Sequence, residues 1–422
     1  MTNGAPEIRN WAGNVDFRAA RVHRPSSVEE LGGLVAGARR VRVLGTGHSF
    51  NRIADTDADL VLTGGLPPGT VVDAAAGTAT VAAGMRLAEI SARLHAAGYA
   101  LANLPSLPHI SPAGAVATGT HGSGDGNQNL GGFVRALRMI GHDGATVELA
   151  RGDSPDFPGA VVALGSLGVV THLTFDVEPT FAVAQYVYED VSLDEVAERY
   201  PEVSTSGYSV SVFTDWASGR GAVWRKLRLE ADGARTEAEP TFLGGRLATV
   251  ALHPVPGMPA GNCTPQLGEP GPWHERLPHF RPEFTPSSGE ELQSEFFVAR
   301  ERAGEAIAAV QRLGGRVAPV LQVSEIRSIA ADDLWLSPAY GRDSVALHFT
   351  WIADRAAVAP ALAAVEEALL PMGARPHWGK VYSGGPAAAL AGYPRAADFR
   401  RLMERQDPHG KFRNAFVERL FG

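Results

Sequence analysis

Two stretches in the C-terminal half of the chain put chemically capable side chains on one face of a strand. In Leu321-Gln322-Val323-Ser324-Glu325-Ile326-Arg327, Glu325 and Arg327 lie two apart, and residues i and i+2 of an extended chain point the same way. In Ser344-Val345-Ala346-Leu347-His348-Phe349-Thr350-Trp351-Ile352, His348 and Thr350 share one face, flanked on that side by Ala346 and Ile352. Leu347, Phe349 and Trp351 share the other face, which reads as core. A carboxylate that accepts, a guanidinium fork that donates, an imidazole and a hydroxyl together suit a ligand rich in hydroxyl groups. The plain alternative is a solvent-facing Glu–Arg cross-link, but such a pair contributes only about 0 to 1 kcal/mol. Leu292-Gln293-Ser294-Glu295-Phe296-Phe297 reads as a third strand whose Gln293 and Glu295 line or support the same pocket. Lys380 follows a glycine turn in His377-Trp378-Gly379-Lys380, and Ser106, in Leu104-Pro105-Ser106-Leu107-Pro108-His109, adds a hydroxyl from the N-terminal half.

That N-terminal half carries three glycine-rich loops. Val43-Leu44 runs into Gly45-Thr46-Gly47-His48-Ser49-Phe50-Asn51, directly after a strand-like run. The strip Ser111 to Gly124, with Gly114, Thr118, Gly119, Thr120 and His121, has small side chains almost throughout and no Lys or Arg. Gly165-Ser166-Leu167-Gly168-Val169-Val170 is a shorter piece of the same kind. Loops of this type let backbone amides approach a flat ligand or a pyrophosphate without a cationic side chain. They point to a nucleotide cofactor. They do not point to a Rossmann fold, because Gly45-x-Gly47-x-x-Phe50 lacks the third glycine and no helix-forming run follows. A P-loop is excluded, since no G-x-x-x-x-G-K-[ST] pattern occurs.

The elements that must position these groups can be read around them. Ser26-Ser27-Val28-Glu29-Glu30 gives overlapping capping boxes for a helix to about Arg39, and Val41 to Leu44 is a strand. Strands fit Leu60–Leu62, Val71–Asp73, Ala79–Ala82 and Val169–Val177, with a helix at Leu87–His95. Leu137–Ile140 and Thr146–Leu149 read as a hairpin about Asp143-Gly144. After a boundary near Ala182, a short helix opens at Ser192 and strands fit Tyr208–Phe213, Val317–Ile326 and Ser344–Ile352. Helices fit Arg300–Leu313, Ala356–Leu370 and Ala396–Arg405.

With 422 residues, 45% of them hydrophobic and 20% charged, the chain has room for two or more domains. Its 48 Gly and 29 Pro imply many tight turns, hence an α+β protein rather than a helical bundle. A net charge of −8 without a dense basic run argues against a nucleic-acid partner. No apolar stretch approaches the length of a membrane span, and Met1 to Asn14 shows no leader pattern. The single cysteine, Cys263, excludes an internal disulfide and fits a reducing cytoplasm. Trp273-His274-Glu275-Arg276 with His279 lacks a carboxylate at ligand spacing, so no metal is expected.

Gly45-Thr46-Gly47-His48-Ser49, the Ser111 to Gly124 strip and Leu164-Gly165-Ser166-Leu167-Gly168 resemble the FAD-binding domain of the vanillyl-alcohol oxidase family. Glu325-x-Arg327, His377-Trp378-Gly379-Lys380 and Asp407-Pro408-His409-Gly410-Lys411-Phe412 are similar to its sugar-alcohol and aldonolactone oxidase branch, nearest the bacterial alditol oxidases. The likeness spans essentially the whole chain. It implies a two-domain α+β flavoprotein, with residues 1–180 binding FAD and 181–422 forming a substrate domain whose C-terminal segment returns to the flavin. It implies covalent FAD on His48, whose neutral imidazole is a competent nucleophile toward the flavin 8α-methyl carbon. His109 and His121 become flavin-pocket residues. Val43, Leu44, Gly45, Thr46, Gly47, Ser49, Ser106, Ser111, Gly114, Thr118, Gly119, Thr120, His121, Val169, Val170 and Lys380 become cofactor contacts. Ser106, Glu325, Arg327, Thr350 and Lys380 are then expected to hold a polyol such as xylitol or sorbitol. Arg327, Lys380 and His348 would serve its oxidation at C1, with dioxygen as acceptor and hydrogen peroxide as product. Pro105 borders oxygen's route on the same likeness, and a monomer is expected. An aldonolactone substrate is the alternative.

Overall fold

Ser27 opens the first helix by accepting from the Glu30 amide at 3.1 Å, while the Glu30 carboxylate accepts from the Ser26 amide at 2.7 Å. The helix α1 (Val28–Gly37) stops short of Arg39, because Ala38 is already extended. The computed structural model describes residues 8–229, 238–285, 287 and 289–422, so part of the stretch read for a leader lies outside the described residues. Strands β1 (Arg21–His23), β2 (Val41–Leu44) and β3 (Asp59–Leu62) form a parallel sheet in the order β1-β3-β2. Five antiparallel strands follow: β4 (Thr70–Asp73), β5 (Thr78–Ala82), β6 (Val134–Ile140), β7 (Thr146–Ala150) and β8 (Val169–Asp176). Their order is β4-β5-β8-β6-β7, and the β6–β7 hairpin turns at Asp143-Gly144 as expected. Asp143 accepts there from the Ala145 amide, and Gly144 takes φ +86°. Between these strands lie α2 (Leu87–Ala96) and α3 (Pro112–Ala117).

From Ala182 onward the chain builds one large antiparallel sheet. Its long strands are β9 (Ala182–Ser192), β10 (Ser209–Thr214), β11 (Arg220–Arg228), β12 (Leu292–Ala299), β13 (Leu321–Ile329) and β14 (Ser344–Trp351). They lie in the order β9-β11-β10-β13-β14-β12. The strand expected from Val317 begins only at Leu321. Gly314-Gly315 and Pro319 break the alternation, and residues 314–320 turn as two short helical pieces. The helix expected at Arg300 likewise starts as a 3₁₀ turn and becomes α-helical at Ala303.

One face of the large sheet is apolar, with Phe296, Ile326, Leu347, Phe349 and Trp351 buried against helices α4 (Leu193–Glu198), α5 (Tyr200–Thr205), α6 (Ala303–Gln311) and α7 (Arg355–Leu369). Phe349 and Trp351 stack at 5.0 Å. Ile352, expected on the polar side, lies past the strand end and packs with this apolar cluster. The opposite face is polar, yet it too is buried.

The chain's end closes the N-terminal core. Helices α8 (Ala396–Gln406) and α9 (Ala415–Phe421) contribute Phe399, Leu402, Phe416 and Val417 to the cluster that holds Leu104, Val116 and Leu173. Between them, Asp407 accepts from the Lys411 and Phe412 amides, and Lys411 donates to the Val35 carbonyl at the end of α1. Among the described residues no helix is long and apolar enough to cross a membrane.

Candidate active site

The polar face of the large sheet meets the glycine-rich loops across an elongated cavity with about 1740 Å³ of atom-free space, its open mouth included. Val43, Leu44, Gly45, Thr46, Gly47, His48, Ser49, Ser106, Ser111, Gly114, Thr118, Thr120, His121 and Val170 line it from the N-terminal half. Glu325, Arg327, His348, Thr350 and Lys380 line it from the other side, so the two sets expected to share a site do share one. Three of the expected residues are not on the cavity wall. Val169 points the opposite way from Val170, as strand alternation requires, and is core beside Leu31 and Ile140. Gly119 does not line the cavity. It ends α3 with φ +70°, where a Cβ would also meet Pro338 at 2.8 Å. His109 is not among the lining residues although it lies near His48, and it bonds through Nε2 to the Phe284 carbonyl. The strip after Ser111 is also not all loop, since it opens with α3.

The loop of His48 is cross-tied to that of Lys380. The Phe50 amide donates to the Gly379 carbonyl at 2.7 Å, and Asn51 Nδ2 donates to the carbonyls of Trp378 and Lys380, each at 2.8 Å. The His48 ring stacks on Trp11 at 5.3 Å, and its Nδ1 lies 3.1 Å from Thr46 Oγ1. Its Nε2 is buried with no hydrogen-bond partner among the described residues. Burial, with His109 nearby, lowers the His48 pKa to about 4, so the ring is neutral at ordinary pH. Small side chains line one wall: Gly45, whose Cβ would fall 2.2 Å from Ser111 Oγ, and Gly114, Gly165 and Gly168. An unpartnered imidazole in a long cavity walled by glycines fits FAD.

Sheet register sets the polar cluster. Glu295 of β12 is opposite His348 of β14, which is opposite Glu325 of β13. Glu295, expected only to line or support the pocket, is the hub. Its Oε1 accepts from Arg327 Nη2 at 2.6 Å, and its Oε2 accepts from Lys380 Nζ at 2.8 Å. His121 Nε2 approaches Oε1 at 3.2 Å. Lys380 Nζ also lies 2.6 Å from His348 Nδ1, and His348 Nε2 lies 3.2 Å from Thr350 Oγ1. Arg327 Nη1 donates to Ser106 Oγ at 3.3 Å, linking the two halves.

Burial would raise both carboxyls, but Lys380 and Arg327 at Glu295, and Arg327 with His279 at Glu325, outweigh it and hold both well below the usual carboxylate range. Burial lowers Lys380, against the opposing pull of Glu295. Burial and Lys380 together lower His348 to about 4. The sheet side of the cavity therefore presents two carboxylates, one guanidinium and one ammonium, a set without net charge, while Arg42 lines the cavity from the N-terminal half.

Two further residues escaped the sequence reading. His279, left as structural, lines the cavity and bonds through Nε2 to Glu325 Oε1 at 2.9 Å. It reaches the site from an irregular segment, where no periodicity marks it. Lys226 stands behind it, 1% exposed, and nothing in the spacing of β11 signals it. Among the described residues no group of three His, Cys, Asp or Glu is placed to hold a metal ion.

Residues 19–150 match the model of an FAD binding domain, and residues 291–420 match that of D-arabinono-1,4-lactone oxidase. The chain is 52% identical to an alditol oxidase of Streptomyces sp. (strain IKD472 / FERM P-14339), over 98% of both chains. It is 28% identical to L-gulono-1,4-lactone dehydrogenase of Mycobacterium tuberculosis, over 99% of this chain and the whole of the other. Its fold is that of cholesterol oxidase from B. sterolicum, with a TM-score of 0.78, 16% identity and coverage of 99% and 96% of the two chains. With half its residues shared along nearly its full length, and with its glycine loops and charged sheet face meeting in one cavity, the chain belongs to the alditol oxidase family, within the vanillyl-alcohol oxidase group of FAD-binding flavoproteins.

Proposed function

We propose that the protein oxidises the C1 hydroxyl of a polyol such as xylitol or sorbitol to the aldose, with dioxygen reduced to hydrogen peroxide. The observation that carries this reading is the buried charge-balanced cluster of Glu295, Glu325, Arg327 and Lys380, which offers donors and acceptors to a ligand that has many hydroxyls and no charge. FAD, when bound, would supply the hydride acceptor and the route for electrons to dioxygen. Residues 1–180 hold it, and His48 is its covalent attachment point, with a neutral ring held in plane by Trp11. Arg327 and Lys380 stabilise the charge developing on the C1 oxygen, in a cavity where water screens little. Lys380, in its neutral form, takes the hydroxyl proton, and His348, 2.6 Å from its Nζ, is the reserve acceptor. Glu325, Thr350 and Ser106 hold the remaining hydroxyls, and residues 181–422 act as the substrate domain. Pro105 also lines the cavity, and peroxide formation is expected with proline at that position.

A lactone substrate is the second reading, favoured by the match of residues 291–420 to the D-arabinono-1,4-lactone oxidase model. Peroxide release with xylitol and sorbitol, and little with gulono- or arabinono-lactone, is the expected outcome. Turnover of the lactones alone overturns the polyol reading. Acid-denatured protein should stay yellow, and the His48→Ala variant should release its colour to the supernatant. Free FAD released from the unaltered protein would remove the covalent link.

A further inference from the structure

Lys226 is a lysine with no route to solvent. It lies on β11, 1% exposed, beside Trp224, and does not line the cavity. Burying an ammonium is costly, and a methionine would fill the same space, so its partners must explain it. Nζ donates to the carbonyls of Leu277 and Pro278, the latter at 3.3 Å. Its third contact is His279 Nδ1 at 3.2 Å. His279 in turn meets Glu325 Oε1 through Nε2 at 2.9 Å, and its ring is packed edge-on between Phe213 and Trp224.

While Lys226 and His279 keep the proton between them, which burial of Lys226 allows up to about pH 7, these contacts set where the hydrogens are, with Ser211 Oγ 3.4 Å from Nε2 as a further neighbour. Two carbonyls can only accept, so an ammonium at Lys226 has one donor left, and it points at Nδ1. His279 then carries its own hydrogen on Nε2 and gives it to Glu325. If the shared proton moves across to His279, both ring nitrogens donate and Nε2 still serves Glu325. In either arrangement Glu325 Oε1 receives a hydrogen bond. Its Oε2, 3.5 Å from Arg327 Nε, is left to accept from a ligand hydroxyl in the cavity. Without a donor at position 226, Nδ1 is buried with no partner and Glu325 alone holds the hydrogen on Nε2, so the Nδ1–H tautomer, which shows the carboxylate a lone pair, gains population.

We propose that Lys226 is a positioning residue for substrate binding, acting through the tautomer of His279 to keep Glu325 an ionised, correctly oriented acceptor. The proposal rests on the assignment of Glu325 as a ligand for substrate hydroxyls. It needs no contact between Lys226 and the substrate.

The test is steady-state kinetics on the flavin-loaded Lys226→Met and Lys226→Gln variants, with the best substrate of the unaltered enzyme. Methionine should raise KM at least tenfold, with kcat changed far less and flavin content and colour unaltered. Glutamine keeps a donor and should restore most of the KM. In the Glu325→Gln background, Lys226→Met should add little, because the two residues lie on one path. A ¹⁵N spectrum of His279 should show hydrogen on Nε2 in the unaltered protein and a measurable share on Nδ1 in Lys226→Met. A Lys226→Met variant with reduced melting temperature but unchanged KM would overturn the proposal and leave Lys226 a tie for the loop at Leu277-Pro278. Additive effects of the two substitutions would overturn it as well. An enzyme that turns over lactones instead of polyols would defeat the functional reading alone, since the same cycle can be run with a lactone.

Discussion

In the proposed reaction Lys380 is the residue on which the chemistry converges, and its protonation state decides which role it can play. It accepts the hydroxyl proton only when neutral, and burial lowers its pKa from the ordinary value of 10.5. The fraction able to accept grows with pH, so kcat/KM for a polyol should rise with pH along one ionisation. Lys380→Met should flatten that rise and lower anaerobic flavin reduction by about 10² to 10⁴-fold. Arg327→Ala, which removes a charge from the developing oxyanion, should cost about 10² to 10³-fold without emptying the site of flavin. Reduction at the unaltered rate in both variants would remove these roles. At this scale the sequence was readable where the cavity lining coincides with strand alternation: Glu325 with Arg327, and His348 with Thr350, could be paired two by two. It was unreadable where a partner comes from elsewhere in the chain. Nothing in Gln293-Ser294-Glu295 says that Glu295 will gather Arg327, Lys380 and His121, because those contacts are made by neighbouring strands and loops.

The elements succeed or fail by the same logic. Strands with strict alternation, such as Ser344 to Trp351, were legible to within a residue, whereas Val317 to Val320 is apolar throughout and turns with Gly314-Gly315 and Pro319 instead of extending. The glycine strip is a third case. Its composition revealed a close approach, but not to what. Gly122 shows the answer: a Cβ there would lie 2.3 Å from Asn103 Oδ1 and 2.4 Å from the Leu104 carbonyl oxygen. The strip is therefore pressed against the segment that leads into Pro105 and Ser106. Gly122→Ala must push backbone against backbone, which typically costs about 1 to 3 kcal/mol in a packed interior. The expected outcome is a lower melting temperature together with a raised KM for polyol, since Ser106 moves with its neighbours. Unchanged values of both would show that the strip and the Ser106 segment are not coupled.

At the scale of the whole molecule, the two halves are joined behind the cavity by a seam between residues 123–129 and 328–332. The Gly124 amide donates to the Ser328 carbonyl, the Ala330 amide to the Asn127 carbonyl, and Gln128 Nε2 to the Ala331 carbonyl. Asp332 sits in that seam, accepting from Asn129 Nδ2 at 2.6 Å, from the Leu334 amide at 2.9 Å and from Ser337 Oγ. Burial raises its pKa from 3.8 to about 7, with Ser337 and the Leu334 amide pulling the other way. A carboxyl raised in the folded state binds its proton more tightly there than in the unfolded chain. Its contribution to stability is therefore full below about pH 4 and is lost as pH climbs through about 7, at up to roughly 1.4 kcal/mol per pH unit. Asp332→Asn removes the titration while keeping the shape. The difference in melting temperature between the unaltered protein and Asp332→Asn should thus shrink, or change sign in favour of the variant, as pH goes from 4 to 7. Parallel curves across that interval would mean that the seam holds Asp332 as an ordinary carboxylate, with Asn129 and Ser337 compensating for its burial.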